Sequence, residues 1–103
     1  MDSTQDLPIT NNTEAQRFEA QLGDDRAVAE YHLKNNIIIF THTEVPEVME
    51  GKGVAGRLIK TALDASRAEH YEVVPLCPFV AAYIHRHHEY QDLVMPRFRY
   101  MVR

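Results

Sequence analysis

At 103 residues the chain is one domain by length, able to bury about 60–70% of its unfolded surface in a single core. A formal charge of -4 supplies no basic field for nucleic acid or anionic membrane, and no apolar run approaches the ~20 residues of a membrane span. One cysteine, Cys77, excludes an internal disulfide framework; with a polar start at Met1-Asp2-Ser3, unlike a secretory or mitochondrial leader, it predicts a cytoplasmic protein.

Residues 1–13 are polar, carry Pro8 and the pair Asn11-Asn12, and are expected to form a disordered tail. Arg17-Phe18-Glu19-Ala20-Gln21-Leu22 alternates polar and apolar residues, as a half-buried strand does. Gly23-Asp24-Asp25 makes a turn, and Arg26 to Lys34 alternates again, with Ala27, Ala29, Tyr31 and Leu33 on one face. Asn35-Asn36 tolerates positive φ and makes the next tight turn, so three antiparallel strands form a meander. The third, Ile37 to Val45, begins fully apolar, which predicts cover on both faces of its early half. Pro46 ends it, because proline cannot donate to the ladder.

A glycine-rich turn, Glu50-Gly51-Lys52-Gly53-Val54-Ala55-Gly56-Arg57, then opens into a helix. Ala55, Leu58, Ile59, Ala62, Leu63 and Ser66 recur at helical spacing and make one buried stripe. Tyr71 to Leu76 is a short strand that completes a right-handed βαβ crossover, so its strand and the preceding one are parallel. Pro78 suits the first position of a second helix, Phe79 to about His87, with Val80, Tyr83, Ile84 and His87 on one side. His88 to Arg103 lacks clear periodicity. Residues 95–103 read as a basic, aromatic tail or an edge strand, leaving 14–94 as the domain proper. The fold class is α/β (α+β): a mixed, mostly antiparallel sheet with one βαβ crossover and two main helices.

The turn carries the functional signal. Glycines let backbone approach a ligand, and the first N–H groups of a helix lack intrahelical partners, so the segment suits a phosphate-bearing cofactor. Gly51-Lys52-Gly53-Val54-Ala55-Gly56 matches G-x-G-x-x-G literally, but five residues separate it from Val45 and Glu72 opens its strand instead of closing it. The Walker spacing is half met, but Arg57-Leu58 replaces its lysine and metal-binding hydroxyl. The acyl-CoA pyrophosphate pattern R/Q-x-x-G-x-G/A is met by Glu50-Gly51-Lys52-Gly53-Val54-Ala55 everywhere except its first position.

With His42-Thr43-Glu44-Val45, Cys77-Pro78-Phe79 and Tyr83, this turn makes the chain from about Phe18 to Val94 resemble the GCN5-related N-acetyltransferase family. The closer likeness is to its branch of small single-domain acetyltransferase-like proteins. The resemblance implies acetyl-CoA as donor, coenzyme A as product, and an amine acceptor that is a small molecule or a protein. It implies two parallel strands that splay apart around the pantetheine arm. Thr43, Glu44 and Val45, extended to Val48 and Met49, would pair with that arm. Gly51, Lys52, Gly53, Val54, Ala55, Gly56 and Arg57 would hold the pyrophosphate. Glu50 departs from the pattern by setting a carboxylate beside a phosphate site. There is no room between the first two strands for a helix pair, and a final strand pair is hard to find in 95–103. The alternative is therefore an acyl-CoA-binding module with little catalysis, its acceptor site completed by a partner.

Three side chains are candidates for chemistry. Cys77 precedes a helix N-terminus, which raises thiol reactivity, and would lie beside the thioester as relay or positioning group; otherwise it is a small buried residue. Tyr83 stands near the family's tyrosine that protonates the departing thiolate, or is a core aromatic. His42 is offered as the group that takes a proton from the amine, as Glu44 on the same strand also could, or it decorates an exposed sheet face. His85-Arg86-His87-His88 lacks an i, i+4 histidine pair and obvious partner ligands, so no metal is expected; it reads as a cationic helix end. Arg97, Arg99 and Arg103 on an acidic protein are too few to point to nucleic acid.

Overall fold

The computed structural model describes residues 7–103. The alternating segments become strands: β1 (Thr10–Asn12), β2 (Arg17–Leu22), β3 (Asp25–Lys34), β4 (Ile37–Glu44) and β5 (Glu72–Pro75). They pair in chain order, antiparallel except for the parallel β4–β5 pair. Asn35 takes φ 56 in the β3–β4 turn, the conformation asparagine tolerates. The crossover between β4 and β5 carries α1 (Val54–Ala68).

The tail expected over residues 1–13 is corrected from Leu7 onward; residues 1–6 lie outside the described residues. Thr10 pairs with Glu19 in the sheet, and Leu7 is buried. The order comes from contacts remote in sequence. Tyr31 Oη donates to Asn11 Oδ1 at 2.7 Å, and Arg57 donates to the Leu7 carbonyl at 2.6 Å. Polar composition alone could not announce them.

Phe18 and Ala20 on β2, Ala27, Ala29 and Tyr31 on β3, and Ile38 and Phe40 on β4 form one core with Leu58, Ile59, Ala62 and Leu63 of α1. Tyr31 links its neighbours, 5.6 Å from Phe18 and 6.3 Å from Phe40 between ring centroids. The expected double cover of early β4 is not found, for Ile37 and Ile39 are only half-buried. They stand opposite Lys34 and His32, so polar neighbours line that sheet face instead of a helix.

A β-bulge interrupts β3–β4. Tyr31 pairs with Phe40 and Glu30 with His42, which leaves Thr41 as the extra residue. Ala29 pairs with Thr43, and Ala29 shares the face of Tyr31. Thr43 therefore lies on the buried face with Phe40, and His42 is turned out. This shift decides which β4 side chain enters the site.

α2 (Pro78–Arg86) begins with proline at its first position, as expected. The C-terminal segment is neither an edge strand nor a loose tail. It makes two 3₁₀ helices, His88–Leu93 and Pro96–Met101, separated by a single parallel bridge from Val94 to Val73. Leu93, Val94 and Val102 are buried. The three-residue period of 3₁₀ structure matches neither the helix nor the strand template, which hid these elements.

Side chains latch the first 3₁₀ helix to α1. Arg67 donates to both carboxylate oxygens of Asp92 at 2.9 Å and to the Glu89 carbonyl at 2.7 Å. Tyr90 Oη donates to Asp64 Oδ1 at 2.7 Å, and Lys60 Nζ to Asp64 Oδ2 at 2.9 Å. The Tyr90 hydroxyl first, then Lys60, hold the Asp64 carboxyl below its ordinary range. A depressed folded value means the stabilisation is full above the ordinary aspartate range and is lost as pH falls through the folded value. Because Asp64 is half exposed, solvent screening limits the contribution to roughly 1 kcal/mol. Asp64→Asn is expected to lower stability by about that much at neutral pH and to narrow its deficit in acid. Urea unfolding against pH checks this; parallel curves for the two proteins would rule the latch out as a titrating contact.

Candidate functional site

The β4–β5 ladder ends early. Its last pair is Phe40 with Pro75, closed by the Cys77 N–H donating to the Phe40 carbonyl at 2.9 Å. Beyond it β4 runs on to Glu44, paired only with β3. Thr41–Glu44 thus has no β5 partner on its other edge. Such an edge offers main-chain donors and acceptors to an extended, amide-bearing group.

Past β4, Pro46 starts a short 3₁₀ turn, Glu47–Met49, with Met49 wholly buried. Gly51 and Gly53 follow with φ 74 and 78, values that glycine reaches without strain. A Cβ built on either would meet nothing within 4 Å, so both face open space. Gly53 is the N-cap of α1, and no side chain caps that helix. The first α1 bond is from Arg57 N–H to the Gly53 carbonyl, at 3.1 Å. The earlier amides of Val54, Ala55 and Gly56 have no intrahelical acceptor and lie at the positive end of the helix dipole.

These elements enclose a cavity of about 360 Å³. Of the expected donor-binding residues, Thr43, Glu44, Val45, Met49, Gly51, Gly53, Val54 and Ala55 line it. Val48, Lys52, Gly56 and Arg57 do not. Val48 is exposed on the 3₁₀ turn, and Arg57 reaches back to Leu7. Gly56 lies inside the first turn of α1, where a Cβ would stand 3.8 Å from the Tyr83 ring. Glu50 lines the cavity too, a second acidic residue beside Glu44. Phe79 also lines it and was missed by sequence reasoning. Its signal was there: it opens α2 off the stripe of Val80, Tyr83 and Ile84, and it is 56% exposed.

The three candidate chemical groups separate. Cys77 sits at the fork of the splayed strands, 2% exposed, with its Sγ 3.3 Å from Thr43 Oγ1. His42 is exposed, with Nε2 3.4 Å from Glu44 Oε2, and does not line the cavity. Tyr83 is buried between α1 and α2, stacked on His87 at 3.9 Å between centroids, and does not line the cavity either. Burial holds its phenol above the ordinary range, with the Glu89 and Asp64 carboxylates adding to the shift against Lys60 and Arg86. Among the described residues no cluster of three or more His, Cys, Asp or Glu side chains could hold a metal ion. No described helix is long and apolar enough to cross a membrane.

A splayed parallel pair feeding a glycine turn and an uncapped helix N-terminus is the arrangement of the GCN5-related N-acetyltransferases, and the chain belongs to that family. The family model matches residues 17–93. Among curated relatives the chain is similar to Protein NATD1 of Homo sapiens, 36% identical over 81 residues that cover 76% of this chain and 72% of that protein. It is also similar to Protein NATD1 of Xenopus tropicalis, 28% identical over 87 residues that cover 82% and 80%. Among solved structures, the solution structure of a GCN5-like protein from Staphylococcus aureus superposes with a TM-score of 0.69. That match covers 86% of this chain and 88% of the other at 24% identity, and it shows the shared fold.

Proposed function

We propose that the protein is an acetyl-CoA-dependent N-acetyltransferase, its donor bound in the cavity at the β4–β5 fork. The observation that carries this reading is the early end of the β4–β5 ladder directly beside an uncapped, glycine-flanked helix N-terminus. The residues present fit the group. Gly51 and Gly53 leave room for a close backbone approach, and the amides of Val54, Ala55 and Gly56 suit a pyrophosphate. The free edge of Thr43 to Val45 suits the pantetheine amides. Bound acetyl-CoA supplies an acetyl group activated as a thioester.

The protein's own part is positioning and exclusion of water. Thr43 and Cys77 hold the fork, and Phe79 covers the cavity from α2. Glu50, in place of a basic or amide residue, weakens pyrophosphate binding without removing the backbone donors. The acceptor is an amine of a small molecule or a protein, and the setting is cytoplasmic.

A second reading, an acyl-CoA-binding module completed by a partner, gains from one observation. Neither His42 nor Tyr83 lines the cavity, so neither of these two expected proton-transfer groups stands beside the donor.

Calorimetric titration with acetyl-CoA, CoA, NADH and ATP, each alone, tests the donor. Binding of acetyl-CoA and CoA only is expected; binding of NADH, or of none, overturns it. An acceptor screen then separates the two readings. In direct transfer, Cys77→Ala is expected to keep turnover within about tenfold of the parent. Complete loss of turnover with donor binding intact would point to a covalent relay instead.

A further inference from the structure

A second cavity, of about 480 Å³, lies at the other end of α1, between its last turn, the buried face of β2 to β4 and the loop after β1. Its lining includes three aromatic residues, Phe18, Tyr31 and Tyr71, together with Asn11, Gln16 and the acidic Glu69. None of the described residues that line it is a lysine, arginine or histidine. A cavity lined by one acidic residue, several polar residues and no cationic residue is electrostatically one-sided.

The wall is also built rigidly. Gln16 takes φ 54, unusual for a residue with a side chain, and two bonds to β3 fix it there. Its carbonyl accepts from the Tyr31 N–H at 2.9 Å, and its Oε1 accepts from the Leu33 N–H at 2.7 Å. The Tyr31 hydroxyl is committed to Asn11, and burial holds it above the ordinary phenol range, so it stays neutral. Glu69 is the C-cap of α1, at the negative end of the helix dipole. The cation in that last turn, Arg67, is spent on Asp92 and the Glu89 carbonyl. A positive charge inside the cavity would answer the carboxylate, the dipole and the rings together.

We propose that this cavity binds a small organic ammonium ion, with Glu69 as counter-ion and Phe18, Tyr31 and Tyr71 packed around its apolar part. The site is separate from the donor cavity. The 15 residues of α1 span about 22 Å at the standard helical rise, and the donor cavity is built at the opposite end. The proposal therefore stands whether or not the donor reading does.

The test is a titration of the ¹⁵N-labelled full chain with n-butylammonium, n-butyrate and 1-butanol, each followed through the millimolar range. Saturable shifts of the Gln16, Leu33 and Tyr71 amides are expected with n-butylammonium and not with n-butyrate. Glu69→Gln, at an exposed position that leaves the core intact, is expected to weaken binding about fivefold. Tyr71→Leu keeps an apolar side chain but removes the ring, and is expected to weaken it about threefold. Lack of saturation, equal binding of 1-butanol, shifts confined to Gly51 through Ala55, or unchanged affinity in Glu69→Gln would each overturn the proposal.

Discussion

Gly53→Val is expected to weaken CoA binding about tenfold or more while leaving a folded protein of lower stability. Gly53 is the N-cap of α1 at φ 78, where a β-branched residue is strained by its own backbone. No neighbour adds to the strain, since a Cβ there meets nothing within 4 Å. The stability cost is therefore the left-handed penalty alone, about 1–3 kcal/mol. The binding cost has a different origin. The space that a side chain at 53 would enter is the donor cavity, beside the amides of Val54 and Ala55. Relaxing the strain by turning the backbone would also re-aim those amides. Titration calorimetry with CoA, alongside a denaturant curve, separates the two costs. Full affinity in a folded variant would show that the donor does not use this turn.

Phe40→Ala is expected to remove about 3–5 kcal/mol of stability, the largest loss proposed for any single change here. Phe40 is 1% exposed and stands at the centre of the core, with Tyr31 edge-on to its ring. A small domain has about 5–15 kcal/mol in all, so the variant would be close to unfolding. The position matters as well as the volume. Phe40 makes the last β4–β5 pair, and its carbonyl takes the Cys77 N–H. Emptying the space beneath that rung loosens the fork from below, so donor affinity should fall even where the chain remains folded. Urea unfolding with an unchanged slope and a lowered midpoint is the expected result. A loss below about 1 kcal/mol would mean that the core collapses freely around this site.

Local periodicity was enough for much of the architecture. The alternation of Arg17 to Leu22 and of Arg26 to Lys34, the Asn35-Asn36 turn and the stripe from Ala55 to Ser66 all correspond to observed elements. Parallel pairing of β4 with β5 followed from the helix between them, which makes a βαβ crossover. What periodicity missed depends on remote contacts or on another period. Leu7 and Asn11 are held by Arg57 and Tyr31, far along the chain, and the 3₁₀ segments after His87 repeat every three residues. In the site, the glycine turn and Thr43 to Val45 were legible because their backbone demands are local. His42 and Tyr83 were not, because a bulge and a helix contact direct them, and neither leaves a mark in a one-dimensional pattern.

The bulge at Thr41 also has a consequence of parity. A strand assigns its side chains to two faces by odd and even count, and one extra residue exchanges the two sets downstream. Were Thr41 to pair with Glu30 in a regular ladder, His42 would fall opposite Ala29, in the buried place that Thr43 now holds against Cys77. An imidazole would then face the thiol, the pairing from which cysteine nucleophiles are made. In this chain one bulge stands between a hydroxyl that steadies a thiol and a base positioned to activate it.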